Sequence, residues 1–258
     1  MTHSIVCGQP PRHYEAFLLD LYGTLVDIHT DENQPSLWQQ VAGFAVSHGA
    51  AWEPKELHLA YLAAVAVAEE ALRVRDRGIP QALGEIDLGK VFARLYAQKG
   101  VTAADKLVAE TALVFRKASI THLRLYAGAK ELLSALRQRG RVVLLSNAQS
   151  LFTRPELSLL GLADCFDSIY LSSEAGFKKP DPRFFRLALE REGLDPARCL
   201  MIGNDPICDG DGARRIGLAA WVIRSNISPR DLREGYDQQG MDLRKLSRML
   251  SKERVNRA

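Results

Sequence analysis

The sequence predicts an α/β fold, a parallel sheet core interrupted after its first strand by an all-helical insertion. Three observations lead there. Short apolar runs stop abruptly at polar or glycine residues, as strands ending in a crevice do. A long stretch from about residue 34 to 119 carries only helical periodicity. After it, strand and helix patterns alternate in the manner of parallel βα units with right-handed crossovers.

Taken in order, residues 16–19 form the first strand and stop at Asp20, before a turn containing Gly23. Helices are expected over 37–48, 54–77, 88–99 and 102–118, all inside the insertion. A helix at 129–139 stops at Gly140, and strand 141–145 ends at Ser146. A helix near 154–160 precedes strand 168–171 and a loop with Lys178 and Lys179. Asp181 and Pro182 supply the N-cap and first-turn proline of helix 182–192. Strand 199–202 ends at Gly203, helix 211–216 opens on Asp211 as N-cap, and 219–223 is a further strand. The final segment, 242–255, places Leu243, Leu246 and Leu250 on one helical face, read as a helix docking on the core.

Composition narrows the function classes. A chain of 258 residues with 47% apolar and 25% charged residues is neither disordered nor a small disulfide scaffold. Its net charge of +3 is confined to the C-terminal end: residues 224–258 hold 9 Lys+Arg against 5 Asp+Glu. The remainder is essentially neutral, so no nucleic-acid partner is expected. Cys7, Cys165, Cys199 and Cys208 show no CxxC spacing, which removes zinc and thioredoxin readings and predicts reduced thiols. No stretch approaches the roughly 18 apolar residues of a membrane span. The first residues also lack a signal-peptide pattern, so a cytoplasmic protein with no membrane partner is expected. The oligomeric state is left open.

In an open parallel sheet the ligand sits beyond the carboxyl ends of the strands. Those ends deliver Asp20 with Thr24, then Ser146 and Asn147, then Lys179, then Asn204, Asp205 and Asp209. Such a set suits a small anionic substrate held with a divalent cation. Asp20 can act as a nucleophile because a carboxylate needs no deprotonation at neutral pH. Lys179 neutralises charge there, and the Ser146 hydroxyl can bind substrate oxygens. Hard oxygen ligands from Asp20, Asp205 and Asp209 suit magnesium. Thr24 can contact the substrate or cap the turn, and Asn147 can bind substrate or form a turn.

Four segments then carry a resemblance: Asp20-Leu21-Tyr22-Gly23-Thr24-Leu25, Leu144-Leu145-Ser146-Asn147, Gly176-Phe177-Lys178-Lys179-Pro180-Asp181-Pro182, and Ile202-Gly203-Asn204-Asp205 through Asp209 to Gly212-Ala213. In this order they resemble the four motifs of the haloacid dehalogenase-like hydrolases. The resemblance implies a Rossmann-like core over 1–29 and 124–258, with a helical cap over 30–123. It also implies Asp20 as nucleophile, Ser146 as phosphate-binding hydroxyl, Lys179 as charge-neutralising lysine and Asp209 as a metal-site carboxylate. Magnesium is the implied cofactor, and hydrolysis of a small phosphate ester the implied reaction.

Two residues depart from the phosphatase pattern. Tyr22 occupies the position of the acid–base aspartate, where an unperturbed phenol is a poor base at neutral pH. Its main-chain carbonyl can still serve as a metal ligand. Asn204 stands where the main metal-binding aspartate is usual, offering a neutral oxygen beside Asp205. The Asp-x-Tyr-Gly-Thr-Leu segment also resembles 2-haloacid dehalogenases, which need no metal but use an arginine from the early cap. Here no arginine occurs between Arg12 and Arg73. A weakly catalytic anion-binding relative is the third reading.

Overall fold

A computed structural model describes residues 14–79 and 83–252. Five parallel strands, β1 (Ala16–Leu19), β4 (Arg141–Ser146), β5 (Ser168–Leu171), β6 (Cys199–Gly203) and β7 (Ala219–Val222), form a sheet in the order β5-β4-β1-β6-β7. Strand β1 lies at its centre, hydrogen-bonded to β4 on one side and β6 on the other. All four residues of β1 are buried, as a strand covered on both faces requires.

The period-two alternation of the strands assigns their side chains to two apolar layers. Phe17, Leu19, Val142, Leu144, Leu200 and Ile202 face α5 (Ala129–Arg137) and α10 (Leu243–Lys252). Their neighbours Leu18, Val143, Leu145 and Met201 face α8 (Pro182–Glu192) and the short α9 (Gly212–Arg214). The expected stripe of Leu243, Leu246 and Leu250 is buried in the first of these layers.

Between β1 and β4 lie α1 (Pro35–Ser47), α2 (Pro54–Arg75), α3 (Leu88–Gln98) and α4 (Asp105–Ser119). They enclose a separate apolar cluster built on Leu37, Trp38, Tyr61, Phe92 and Phe115. Trp38 and Tyr61 both pack on Phe115, with ring centroids 5.7 and 5.4 Å apart. Phe152 from α6 (Ser150–Leu159) joins this cluster from the core side, stacked 6.1 Å from Phe115.

Two stretches of backbone pairing fasten the helical region to the sheet. The first is an antiparallel ribbon of β2 (Val26–Thr30) and β3 (Ile120–Leu125), which the sequence reading did not anticipate. Its buried Asp27 pairs with Arg124 at 2.7 Å, His122 at 3.1 Å and the Asn226 amide at 2.9 Å. His122 thereby has a carboxylate partner across the ribbon. The second link joins the chain after α2 to the loop that carries Lys179. Gly84 bridges Phe177 antiparallel, the Glu85 N–H donates to the Gly176 carbonyl, and the Lys178 N–H donates to the Leu83 carbonyl. Asp181 accepts from the Leu83 and Arg183 N–H groups at 2.7 and 2.9 Å, so it is both helix cap and inter-region acceptor.

Several boundaries differ from expectation. Helix α6 starts at Ser150 and runs through Pro155, whose missing N–H hid the first turn. A single turn, α7 (Ser172–Ala175), follows β5. The predicted helix at 211–216 is preceded by a π-helical turn, Pro206–Asp211. Asp211 lies inside this helical run and makes no side-chain cap; Asp205 caps instead, accepting from the Ile207 and Cys208 N–H groups. Cys165, Cys199 and Cys208 carry free thiols, whereas Cys7 and the predicted helix beyond 252 lie outside the described residues. Among the described residues no helix is long and apolar enough to cross a membrane.

Replacing Asp181 with alanine strands the Leu83 and Arg183 donors together. Asp181→Ala is expected to destabilise the protein by about 1–3 kcal/mol in urea denaturation. An unchanged midpoint would show that the second link contributes no stability.

Candidate active site

The carboxyl ends of β1, β4 and β6 and the loop before α8 meet at one point. Lys179 is fully buried there, its ammonium 2.9 Å from Asp20 Oδ1 and 2.6 Å from Asp209 Oδ1. Burial alone would lower the lysine pKa, but the charges of Asp20 and Asp209 outweigh it and hold the ammonium protonated well above the ordinary range. Asp209 is shifted upward by burial, with the Lys179 charge opposing.

Asp20 is tightly held on one oxygen. Its Oδ1 accepts from Lys179 and from Ser146 Oγ at 3.0 Å. Its Oδ2 accepts only a 3.2 Å contact from Thr24 Oγ1, a hydroxyl that also lies 3.3 Å from Asn204 Oδ1. Thr24 thus positions the nucleophile candidate, and both of its recorded partners are acceptors within the site.

The backbone around this centre is clamped by side chains. Both ends of the Asn147 carboxamide engage Lys179: Nδ2 donates to its carbonyl at 2.9 Å and Oδ1 accepts from its N–H at 2.7 Å. Asn147 therefore fixes the lysine rather than projecting its amide toward substrate. Asp209 Oδ2 accepts from the N–H groups of Asn204 and Asp205, both at 3.0 Å. Gly203 is required at that approach, since a Cβ there would sit 2.1 Å from Asp209 Oδ2. Gly23, at φ +86°, would likewise drive a Cβ into the Asn204 carboxamide.

Asn204 is held by residues that no sequence signal marked. Its Nδ2 donates to Ser228 Oγ at 3.3 Å and Ser225 Oγ at 3.4 Å, from the loop after β7. Asp20, Tyr22, Asn204, Asp205 and Asp209 all line one cavity of about 260 Å³. As donors these are hard oxygens, which fit magnesium. Asn204 is a neutral donor, and both Asp209 oxygens are already engaged by the lysine and two N–H groups. Among the described residues no three His, Cys, Asp or Glu side chains gather as a metal cluster. The Cys208 thiol beside the cavity is pushed up to about 12 by burial and by Asp205 and Asp209, so it stays protonated.

Tyr22 points its phenol away from Asp20. The hydroxyl donates to Glu156 Oε2 at 2.5 Å and lies 3.1 Å from Thr153 Oγ1, both on α6. Glu156 in turn pairs with Arg116 of α4 at 2.6 Å, and the Arg116 guanidinium lies over the Phe152 ring. Burial, then the Glu156 charge, raises the phenol pKa further above its ordinary value. Neither the engagement with Glu156 nor the raised pKa favours an acid–base role at neutral pH. Thr153, Glu156 and Arg116 were not marked by the sequence, because nothing local announces that they converge on Tyr22.

A second cavity of about 320 Å³ opens between the sheet and the helices. Tyr22 and Asn147 line both cavities.

Comparison with known proteins agrees with this geometry. The family described as haloacid dehalogenase-like hydrolase matches residues 14–217. A phosphoserine phosphatase of Thermus thermophilus is 39% identical over 124 residues, 47% of this chain and 49% of that protein. A glyceraldehyde 3-phosphate phosphatase of Methanothermobacter thermautotrophicus is 30% identical over 138 residues, 53% of this chain and 61% of that protein. The chain spans about half the length of the curated relatives it matches. A HAD phosphatase structure from Thermococcus onnurineus superposes with a TM-score of 0.59 at 21% identity, covering 92% of this chain and 97% of that one. A 2-haloacid dehalogenase structure from Pseudomonas syringae pv. Tomato DC3000 gives 0.59 at 19% identity, covering 93% and 99%. These structural likenesses establish the fold.

Tyr22→Phe is expected to keep kcat/KM within about threefold, whereas loss of a working acid–base group costs about 10² to 10⁴. A hundredfold drop with unchanged stability would return the phenol to the chemistry.

Proposed function

The chain belongs to the haloacid dehalogenase-like hydrolases, and from that premise we propose that it hydrolyses a small phosphate monoester through an aspartyl nucleophile, with magnesium as cofactor. The observation that carries this reading is the asymmetric anchoring of Asp20. Lys179 and Ser146 converge on Oδ1 while Oδ2 keeps only the long Thr24 contact. The less engaged oxygen is the natural attacking atom.

In this reading Oδ2 of Asp20 forms a bond to phosphorus as the ester P–O bond breaks. The leaving alkoxide takes a proton from water. A second water then attacks the phosphorylated aspartate, releasing inorganic phosphate and restoring the carboxylate. Lys179 offsets the negative charge gathered around Asp20, and Ser146 offers its hydroxyl to the transferring group. Asp20, the Tyr22 carbonyl and Asn204 would hold the magnesium ion, with Asp205 beside them and Asp209 fixing the loop behind. When bound, the ion supplies Lewis-acid stabilisation of phosphoryl oxygens. The same proposal divides the chain into a core, 1–29 and 124–258, and a cap, 30–123, in agreement with the separate apolar cluster of the helices.

Tyr22 favours a second reading. A halide departs from carbon without needing a proton, so a dehalogenase has no use for an acid at this position. Against it, the early cap supplies no arginine before Arg73, and Arg116 is already engaged by Glu156.

The deciding measurement is a panel of p-nitrophenyl phosphate and 2-chloropropionate, each with and without magnesium. The expected result is magnesium-dependent release of p-nitrophenol, whose anion leaves without protonation, and its abolition in a folded Asp20→Asn variant. Metal-independent chloride release would establish dehalogenation instead. Anion binding with neither product would establish a weakly catalytic binding protein.

A further inference from the structure

Resting on the phosphomonoesterase reading, we propose that the cavity beyond Tyr22 receives the leaving group and that Glu32 selects leaving groups carrying a primary ammonium. The two cavities share Tyr22 and Asn147 in their linings, which puts the second on the side where the alcohol portion of a substrate whose phosphoryl group meets Asp20 would extend. At about 320 Å³ it lies near the small end of ligand pockets, which run from about 300 to 1,000 Å³. A small amino alcohol suits that size.

The charges facing this cavity decide its chemistry. Arg116 is engaged by Glu156 at 2.6 and 3.4 Å. Glu85 accepts from Ser172 Oγ at 2.9 Å and from the Ile86 N–H at 3.1 Å, with Lys178 3.7 Å away. Glu32 differs from both. Among the described residues its carboxylate has no hydrogen bond or ion pair within bonding distance, although its carbonyl is fixed by Trp38 Nε1 at 2.8 Å. Arg116 and His58 act on it only at longer range, and burial raises its carboxyl above the ordinary range. His58 is itself stacked on Trp38, 4.3 Å between ring centroids.

A half-buried carboxylate without a partner is the group in this cavity that gains most from an arriving cation. The neighbouring Phe152 and Leu88 present apolar surface that suits a short carbon chain between the phosphate and the ammonium. A neutral polyol offers Glu32 only an uncharged O–H donor, a weaker partner than an ammonium, and carboxylated alcohols meet repulsion.

The test compares phosphoethanolamine with 2-hydroxyethyl phosphate, which differ in one terminal group, on magnesium-supplied wild type and Glu32→Gln. The ratio of kcat/KM for the amine over the hydroxyl substrate is expected to be about tenfold larger in wild type than in the variant. Glu32→Asp should preserve the preference. Both substrates are read on one preparation, so partial misfolding cancels from the ratio. Equal ratios in wild type and Glu32→Gln overturn the proposal. A second readout needs no variant: ethanolamine should inhibit p-nitrophenyl phosphate hydrolysis by wild type more strongly than ethylene glycol, and equal inhibition also overturns it. Absence of p-nitrophenyl phosphate hydrolysis would instead bring down the phosphomonoesterase reading itself.

Discussion

Burying the Lys179 ammonium against Asp20 and Asp209 makes each of the three groups depend on the other two, because any one left alone in that interior would be an uncompensated charge. Removing one member of such a buried set typically costs about 3–5 kcal/mol. The members come from three different places: the end of β1, the loop before α8 and the turn after β6. Neutralisation is therefore what registers these segments against one another. Asn147 fixes the lysine backbone and Asp209 fixes the backbone at 204 and 205, so electrostatic and main-chain order coincide.

The same logic extends outward from Tyr22. Where an acid–base aspartate is usual, the chain places a phenol that feeds a second buried ion pair, Glu156 with Arg116. The side chain two residues after Asp20 is thereby engaged in a structural contact. It joins the core to α4, and Phe152 stacking on Phe115 adds apolar contact at the same seam.

Much of the core was legible because its signals are local. Apolar runs stopping at Asp20, Ser146 and Gly203 locate the strand ends, and the polar residues that follow sit where a parallel sheet must put its ligand. Long-range partners were not legible. The ribbon pairs Val26 with Leu125 across nearly a hundred residues, and although Val26-Asp27-Ile28-His29 and His122-Leu123-Arg124-Leu125 both alternate, neither short segment announces its distant partner. Pro155 masked the first turn of α6, while Glu156, inside the expected helix, gave no sign of its distant partners Tyr22 and Arg116. Asp211 looked like a cap because it precedes Gly212-Ala213, whereas the turn had already begun at Asp205. Asn147 read as a turn former or a ligand, since a clamp on the Lys179 backbone depends on tertiary proximity alone.

The backbone bridge between Gly84 and Phe177 has a mechanical consequence. Together with the β2–β3 ribbon and the Arg116–Glu156 pair, it ties the helical unit to the core at three separate places, so that unit does not hang from a single hinge. The segment that carries Lys179 is thereby held from two sides at once: its backbone meets Leu83 and Glu85 of the helical region, and its ammonium meets Asp20 and Asp209 of the sheet.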